Sequence, residues 1–258
     1  CWGSDDYGQL GDGGSNTDRN APSNAIDLGQ GRTAVAVAAG AFHTCAILDN
    51  GDLKCWGKDD YGQLGDGGSI SPSAYTTTPS STPIDLVDQT NTDPKTAVAV
   101  AAGTWHTCAI LNNSDVKCWG RLMEGQVGMG NPGIGTSSVS SPLGPLGLAG
   151  NYVTAPAVAI SAGQAHTCAI LADGDLKCWG WDSYGQLGDG GSNSNVYLPS
   201  STAIDLGTGR TAVAVSAGSY HTCVILDNGD TKCWGSDEFG GLGDGGPVWT
   251  LSNRTNLN

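Results

Sequence analysis

Eight of the nine cysteines in this 258-residue sequence stand in four pairs, and nine residues separate the two members of each pair. The pairs are Cys45 and Cys55, Cys108 and Cys118, Cys168 and Cys178, and Cys223 and Cys233. Such thiols could form disulfides, remain free or bind zinc, but zinc sites usually contain a short C-x(2–4)-C motif, which these pairs lack. Disulfides are therefore the chemistry that we expect of them.

Hairpin geometry supports this pairing. A three-residue loop over Asp49-Asn50-Gly51, with Gly51 in the left-handed region, places Cys45 opposite Cys55 at a non-hydrogen-bonded position. Cα atoms at such positions approach to about 4.5 Å, a separation that a disulfide tolerates. Disulfides in turn predict an oxidising location: extracellular, on the cell surface or in the periplasm. Glycine occupies the same loop position in two other hairpins and serine in one, where we expect the most strain; these residues are Gly174, Gly229 and Ser114.

The four histidines recur at one position of a repeat, immediately before Thr-Cys. A residue found once per repeat is structural by default, and we expect each imidazole to bond nearby backbone and hold a turn. No histidine is left for a catalytic triad or a metal site, and no G-x-S-x-G, P-loop or H-E-x-x-H motif occurs. We therefore predict no catalytic residues, no metal, no cofactor and no enzymatic activity. The histidines are His43, His106, His166 and His221.

Four repeated aspartates precede glycine and could bind Ca²⁺ or form turns. No D-x-D-x-D-G loop is present, so turn formation is the favoured interpretation. They are Asp12, Asp66, Asp189 and Asp244.

The whole sequence is built from a repeat of about sixty residues. HTCAIL, or HTCVIL in one copy, occurs four times, and CWG occurs five times, beginning at Cys1, Cys55, Cys118, Cys178 and Cys233. Within one repeat, turn residues separate four predicted strands: Ala25–Leu28, Ala34–Ala39, Thr44–Leu48 and Leu53–Trp56. Four short antiparallel strands per repeat are typical of a β-propeller blade, and a β-solenoid is the alternative.

The segment AVAVAAGAFHTCAILDNGDLKCWGKDDYGQLGDGG resembles the repeat of the regulator of chromosome condensation family. The resemblance covers nearly the whole chain and implies an all-β fold, a β-propeller of four-stranded antiparallel blades. We expect four full blades and parts of a fifth, a segment of a larger propeller. Residues 1–14 would end a preceding blade, residues 247–258 would begin a further one, and the full blades would be residues 15–68, 69–130, 131–191 and 192–246.

The ends of the sequence fall inside repeats. Cys1 aligns with the second cysteine of a pair, and Val248–Leu251 is a possible first strand of another blade. We expect the strand that would pair with Cys1-Trp2-Gly3 to lie upstream in the same polypeptide. A neighbouring subunit that supplies the strand and an open end are the alternatives.

Charge and hydropathy exclude two classes of partner. Acidic residues outnumber basic ones 25 to 11, for a net charge of −14, and phosphate binding needs a field of lysine and arginine. No run of 18 apolar residues occurs. We therefore expect neither nucleic-acid binding nor membrane insertion.

Positions that vary within the fixed repeat are the best candidates for recognition. The residue before each histidine is Phe42, Trp105, Ala165 or Tyr220, and in a propeller these residues form an arc on one face. Aromatic side chains are favoured anchors at interfaces, although the rings could simply pack on adjacent blades. The inserts Ser69–Thr96 and Asn131–Pro156 are predicted surface loops.

Together these features predict a non-enzymatic extracellular propeller that binds a protein or glycan as an adhesion scaffold. The candidate partner-binding face consists of Phe42, Trp105 and Tyr220. The alternative is a structural subunit of an extracellular filament or surface assembly, whose partners are copies of itself.

Overall fold

The computed structural model of the chain describes residues 1–14, 16–22, 24–68, 70–71, 73–87, 95–130, 137–142, 146, 156–245 and 254–255. The described residues form strands and turns, without a helix among them. The predicted strand Val248–Leu251, most of the insert Asn131–Pro156 and part of the insert Ser69–Thr96 lie outside the described residues.

Four antiparallel sheets follow one another along the chain, and each joins strands that are consecutive in sequence. Blade 1 contains β1 (Ala34–Ala39), β2 (His43–Leu48), β3 (Leu53–Lys58) and β4 (Tyr75–Thr76). Blade 2 contains β5 (Ala97–Ala102), β6 (His106–Leu111), β7 (Val116–Arg121) and β8 (Ser138–Val139). Blade 3 contains β9 (Ala157–Ala162), β10 (His166–Leu171) and β11 (Leu176–Gly180). Blade 4 contains β12 (Ala212–Ala217), β13 (His221–Leu226), β14 (Thr231–Gly235) and β15 (Arg254–Thr255).

The blades are arranged as in a propeller. The valine- and alanine-rich first strands of successive blades contact one another, which places these strands innermost. Single bridges replace the outer strand at two places: Gly180 pairs with Val196 in blade 3, and Gly3 pairs with Arg19 ahead of blade 1. The predicted fold class, four blades and part of a fifth, is confirmed.

The identity of the fourth strand was predicted wrongly. Ala25–Leu28 and its counterparts form no strand, and the outer strand instead comes from residues beyond GQLGDGG, such as Tyr75–Thr76. The aspartate of the AIDL-type segment explains this, because Asp85 Oδ1 accepts the Val87 amide at 2.9 Å and bends the chain. The sheets of blades 1, 2 and 4 therefore continue past the GQLGDGG segment or its variant, and the sheet of blade 1 spans residues 34–76.

The hydrophobic cores lie between blades rather than within them. Leu111 and Trp119 of blade 2 pack with Cys45 of blade 1, whereas Ile110 packs with Leu171 of blade 3. Successive residues of a strand point to opposite faces of the sheet, so a fully buried strand serves two cores. This explains why all six residues of HTCAIL are buried in blade 2 and why its apolar residues do not alternate with polar ones.

The structure forms a disulfide within each predicted pair, and the Cα atoms are 4.1 Å apart in all four. The hairpin register is the one expected, with Cys45 opposite Cys55 and Ile47 opposite Leu53. Ser114 adopts φ 68°, and it is one of three non-glycine residues with positive φ in the described part of the chain.

Candidate binding face

At each boundary between blades, one backbone carbonyl oxygen accepts two hydrogen bonds from side chains of the next blade. The Gln63 carbonyl oxygen, in the GQLGDGG turn after blade 1, accepts the Thr107 hydroxyl at 2.8 Å and the Trp119 indole N–H at 2.9 Å. The other copies repeat this pattern. In each copy the glutamine carbonyl accepts one threonine hydroxyl and one tryptophan indole N–H. The donors are Thr44 and Trp56 for Gln9, Thr167 and Trp179 for Gln126, and Thr222 and Trp234 for Gln186.

Three of the histidines form hydrogen bonds to the same threonine hydroxyls. His43 Nε2 lies 2.8 Å from Thr107 Oγ1, and because that hydroxyl gives its proton to Gln63, the imidazole must donate. Burial lowers the pKa of His43 to about 4, so the ring is neutral near pH 7. His106 and His166 make the equivalent bonds to Thr167 and Thr222. The expectation of a backbone partner was wrong for these three histidines, since each of their imidazoles bonds a threonine side chain of the next blade.

A glycine three residues before each histidine permits this close contact between blades. A Cβ atom at Gly103 would overlap the His106 ring and come within 2.6 Å of the Gly163 carbonyl oxygen of the next blade. The inter-blade bond therefore requires glycine at this position.

Buried aspartates hold the loop that carries the carbonyl acceptor. Asp59 Oδ1 accepts the Leu64 amide at 2.9 Å, and burial raises the pKa of Asp59 to about 7 although this hydrogen bond opposes the shift. Asp182 does the same for Leu187, and burial raises its pKa to about 6. The sequence motifs did not single out these aspartates.

The aspartates considered for Ca²⁺ cap their own turns. Asp12, Asp66 and Asp189 each accept the amide two residues later, at 2.8 Å. Asp12 also binds Arg19 at 3.1 Å. Within the described residues, no group of three or more histidine, cysteine, aspartate or glutamate side chains could hold a metal ion.

Two of the predicted face residues stack on each other. The Phe42 and Trp105 ring centroids are 4.8 Å apart, and Tyr7 and Tyr61 contact them edge-on at 5.6 and 5.4 Å. Phe42 and Trp105 belong to adjacent blades and remain half-exposed. The rings therefore pack between blades and also contribute to the surface.

Two cations lie on this aromatic cluster. Lys58 Nζ is 4.1 Å from the Tyr7 centroid and 4.9 Å from the Trp105 centroid, and it pairs with Asp60 at 3.0 Å. Desolvation acts to lower the pKa of Lys58, but the hydrogen bonds and charge interactions with Asp60 and Tyr7 together outweigh it, so the pKa is raised. Arg121 lies 5.3 Å from the Tyr61 centroid.

Tyr220 belongs to a second cluster. Its ring contacts Trp181 and Tyr184 at 5.5 and 5.3 Å, and these two are 5.4 Å apart. Ala165, at the equivalent position of blade 3, is buried, which interrupts the predicted arc. We name the half-exposed residues of both clusters, with their two cations, the aromatic face: Tyr7, Phe42, Lys58, Tyr61, Trp105, Arg121, Trp181, Tyr184 and Tyr220.

Six of these nine residues were not predicted from the sequence, although the signal was available. The residue after each WG varies as strongly as the residue before histidine: it is Ser4, Lys58, Arg121, Trp181 or Ser236. The two variable positions are adjacent because the Lys58 amide donates to the Phe42 carbonyl oxygen at 2.8 Å.

No helix long and apolar enough to cross a membrane is found in the part of the chain that the structure describes.

Known proteins contain the same repeat. Two models of the regulator of chromosome condensation (RCC1) repeat match the chain, one over residues 1–47, 50–110 and 173–225 and the other over 34–63, 157–186 and 212–240. The ultraviolet-B receptor UVR8 of Arabidopsis thaliana is 31% identical over 245 residues, which are 95% of this chain and 50% of UVR8. The chain spans about half the length of the curated relatives it matches first.

Solved propellers share the fold at low sequence identity. Human WBSCR16 aligns with a TM-score of 0.75 and 18% identity, over 95% of this chain and 58% of its own. Prp20p from Saccharomyces cerevisiae aligns with a TM-score of 0.60 and 23% identity, over 72% of this chain and 42% of its own. Since one repeat model alone matches more than half of its residues, the chain belongs to the regulator of chromosome condensation (RCC1) repeat family.

Proposed function

We propose that this chain is part of a non-enzymatic β-propeller that binds a protein partner through the aromatic face. The observation that carries the proposal is the pair of half-exposed ring clusters, with Lys58 and Arg121 fixed on one of them. Aromatic residues and arginine are enriched at protein interfaces and dominate their binding energy.

The blades beneath the face support this role. The variable side chains before histidine and after WG lie at the ends of strands or directly beside them, and these strands are held by disulfides, buried cores and the His–Thr–Gln bonds between blades. A face that is already ordered loses little conformational entropy on binding.

The relatives favour a protein over a glycan as the partner. Prp20p has binding properties towards Gsp1p and histones, both of which are proteins. Those partners are Prp20p's own, but they make a protein-binding surface a reasonable expectation for a propeller of this family. The net charge of −14 favours a partner with a basic contact region.

The four disulfides also support a location. Disulfides in all four blades suit an oxidising compartment, and we extend the proposal to a protein that works outside the cell, on its surface or in the periplasm. Detection of the native protein in the culture medium or on intact cells would test this part of the proposal.

Partner capture with matched variants tests the proposed face. Phe42→Ala with Trp105→Ala should reduce capture of the specific partner from native material at least tenfold, because it removes two interface anchors. Leu198→Ala is the control, since Leu198 is also a large exposed apolar residue but lies outside the aromatic face. Equal capture by both variants, at equal thermal stability, would reject the aromatic face as the binding surface.

A further inference from the structure

The tip of the second hairpin differs from the other three. The loop between β6 and β7 reads Asn112-Asn113-Ser114, where blades 1 and 4 have Asp-Asn-Gly and blade 3 has Ala-Asp-Gly. Asn-x-Ser is an acceptor sequence for N-linked glycosylation, and the chain's other acceptor sequence begins at Asn253, outside the described residues. A three-residue match is common by chance, so its significance depends on the structure of the tip.

Ser114 is poorly suited to its position as a turn residue. Its φ is 68°, in the left-handed region that favours glycine, and Gly51 and Gly174 occupy the same loop position at φ 83° and 86°. A Cβ atom at Gly51 would lie 2.5 Å from the Thr96 Cβ atom of the next blade. Glycine therefore serves this turn better than serine, and the turn does not explain the hydroxyl of Ser114, which completes the acceptor sequence.

Asn112 has an exposed side chain with an available amide. Its backbone N–H donates to the Thr96 carbonyl oxygen at 2.9 Å, as that of Asp49 does to Thr33 in blade 1. The Asp49 side chain also pairs with Arg32 at 3.2 Å, whereas the Asn112 side chain makes no hydrogen bond within the part of the chain that the structure describes. Blade 2 lies between blades 1 and 3, so the exposure of Asn112 does not come from a missing neighbour at the end of the chain.

The tip lies far from the aromatic face. Trp105 precedes β6 and Asn112 follows it, so a strand of six residues separates them by about 20 Å. A glycan is bulky, hydrophilic and confined to the surface. At Asn112 it would stand in solvent and leave the aromatic face free to bind.

We propose that Asn112 carries an N-linked glycan. This assignment rests on the proposed location outside the cell, because such glycans are added to exported chains. In the transfer, Nδ2 of Asn112 attacks the anomeric carbon of a polyprenyl-diphosphate-linked oligosaccharide, and the bond from that carbon to the diphosphate oxygen breaks. Polyprenyl diphosphate leaves, and the amide gives one proton to a base of the transferase. The Ser114 hydroxyl serves recognition by the transferase rather than the turn.

Mass spectrometry of the native protein tests the proposal. Reduction and trypsin release residues 96–117, and a peptide N-glycosidase in heavy-oxygen water converts a glycosylated asparagine into labelled aspartate. We expect the label at position 112 and none at Asn113. Unmodified Asn112 in protein recovered from outside the cell would overturn the glycan and leave the proposed location intact. A glycan at Asn112 on protein retained inside the cell would support the site and contradict the location, and unmodified protein found only inside the cell would overturn both.

Variants produced in the native host separate the acceptor sequence from the loop structure. Ser114→Ala removes the hydroxyl but keeps a side chain at the strained position, and it should lower the labelled fraction at Asn112 at least tenfold. Ser114→Gly should do the same although it relieves the strain, so the result does not depend on a weakened fold. Asn113→Gln is the matched control, since it changes the neighbouring exposed residue and keeps the acceptor sequence. Labelled Asn112 in either Ser114 variant, or an equal loss in Asn113→Gln, would contradict the proposal.

Discussion

At each of the three boundaries between blades 1 and 4, a threonine hydroxyl takes part in two hydrogen bonds. Thr167 gives its proton to the Gln126 carbonyl and accepts a proton from His106, which links blades 2 and 3. All the groups involved are buried, so removing one leaves another without a partner, at a cost of about 1–3 kcal/mol. Sequence periodicity identified the histidines as structural, but it could not identify their partners, because those lie some sixty residues away, across a blade boundary.

His106→Ala tests this bond. We expect the free energy of unfolding to fall by about 3 kcal/mol, from the lost ring packing and the unpaired Thr167, while partner binding stays intact. His221→Ala is the control, because His221 is only half-buried and meets no such threonine among the described residues; it should cost less than about 1 kcal/mol. Chemical denaturation measures both. Lost binding at unchanged stability would refute a structural role for His106.

The pH dependence of stability follows from the same residues. Burial lowers the pKa of His106 from 6.5 to about 3, so only the unfolded chain binds a proton there as the pH falls. Its stabilising contribution is complete above pH 6.5 and is lost as the pH drops towards the folded value. Asp59 acts oppositely: its pKa is raised to about 7, so its contribution is present at low pH and lost as the pH rises through 7.

When the pH falls from 7 to 5, the free energy of unfolding of the wild-type chain should therefore decrease by about 2 kcal/mol more than that of the His106→Ala variant. The reason is that the unfolded wild-type chain gains a proton on His106 in this range, and each pH unit below its unfolded pKa corresponds to about 1.4 kcal/mol. Denaturant titrations at the two pH values measure the difference. Parallel stability profiles for the two proteins would contradict the burial of a neutral imidazole.

Local sequence is enough to predict the hairpin register but not the outer strand of each blade. The loop Asp49-Asn50-Gly51 fixes the register of β2 and β3, and the register fixes the disulfide, so the cysteine spacing alone led to the pairing that the structure has. Ala25–Leu28 was assigned wrongly because its apolar residues suit a strand. Only the tertiary structure shows that the edge of β3 is occupied by Tyr75–Thr76 instead.

Ser114 offers a test of hairpin strain. Its φ of 68° is unfavourable for a residue with a side chain, so Ser114→Gly should raise the free energy of unfolding by about 0.5–1 kcal/mol. Gly229→Ser is the reciprocal variant, since Gly229 has φ 87° and open space around its missing Cβ atom. It should be destabilising by a similar amount. A melting temperature that moves the other way in either variant would disprove the strain.

The disulfides make a second prediction for the hairpins. Each closes a loop of about ten residues, so replacing Cys168 and Cys178 by alanine should cost about 2–3 kcal/mol. Peptide mapping without reductant should recover all four links within hairpins. Links between repeats, or free thiols at these positions in native protein, would contradict the structure.

The whole molecule combines a repeated interior with a varied face. The cores, histidines and carbonyl acceptors recur at every blade boundary, whereas the side chains before histidine and after WG differ from blade to blade. Such variation on a constant scaffold is what a surface that recognises a specific partner requires. The sequence revealed the fold and part of the face, since both depend on the repeat. The full aromatic face required the structure, because it joins positions 7, 42, 58 and 105 from neighbouring blades.

Footprinting of the chain with its captured partner tests binding through the aromatic face most directly. Hydroxyl-radical oxidation in the presence and absence of the partner reports which side chains become covered, and aromatic rings are efficiently labelled. We expect strong protection of Phe42, Trp105 and Tyr220, with unchanged labelling of Tyr75 on the outer strand β4. Protection of Tyr75 with Phe42, Trp105 and Tyr220 still fully labelled would contradict binding through the aromatic face.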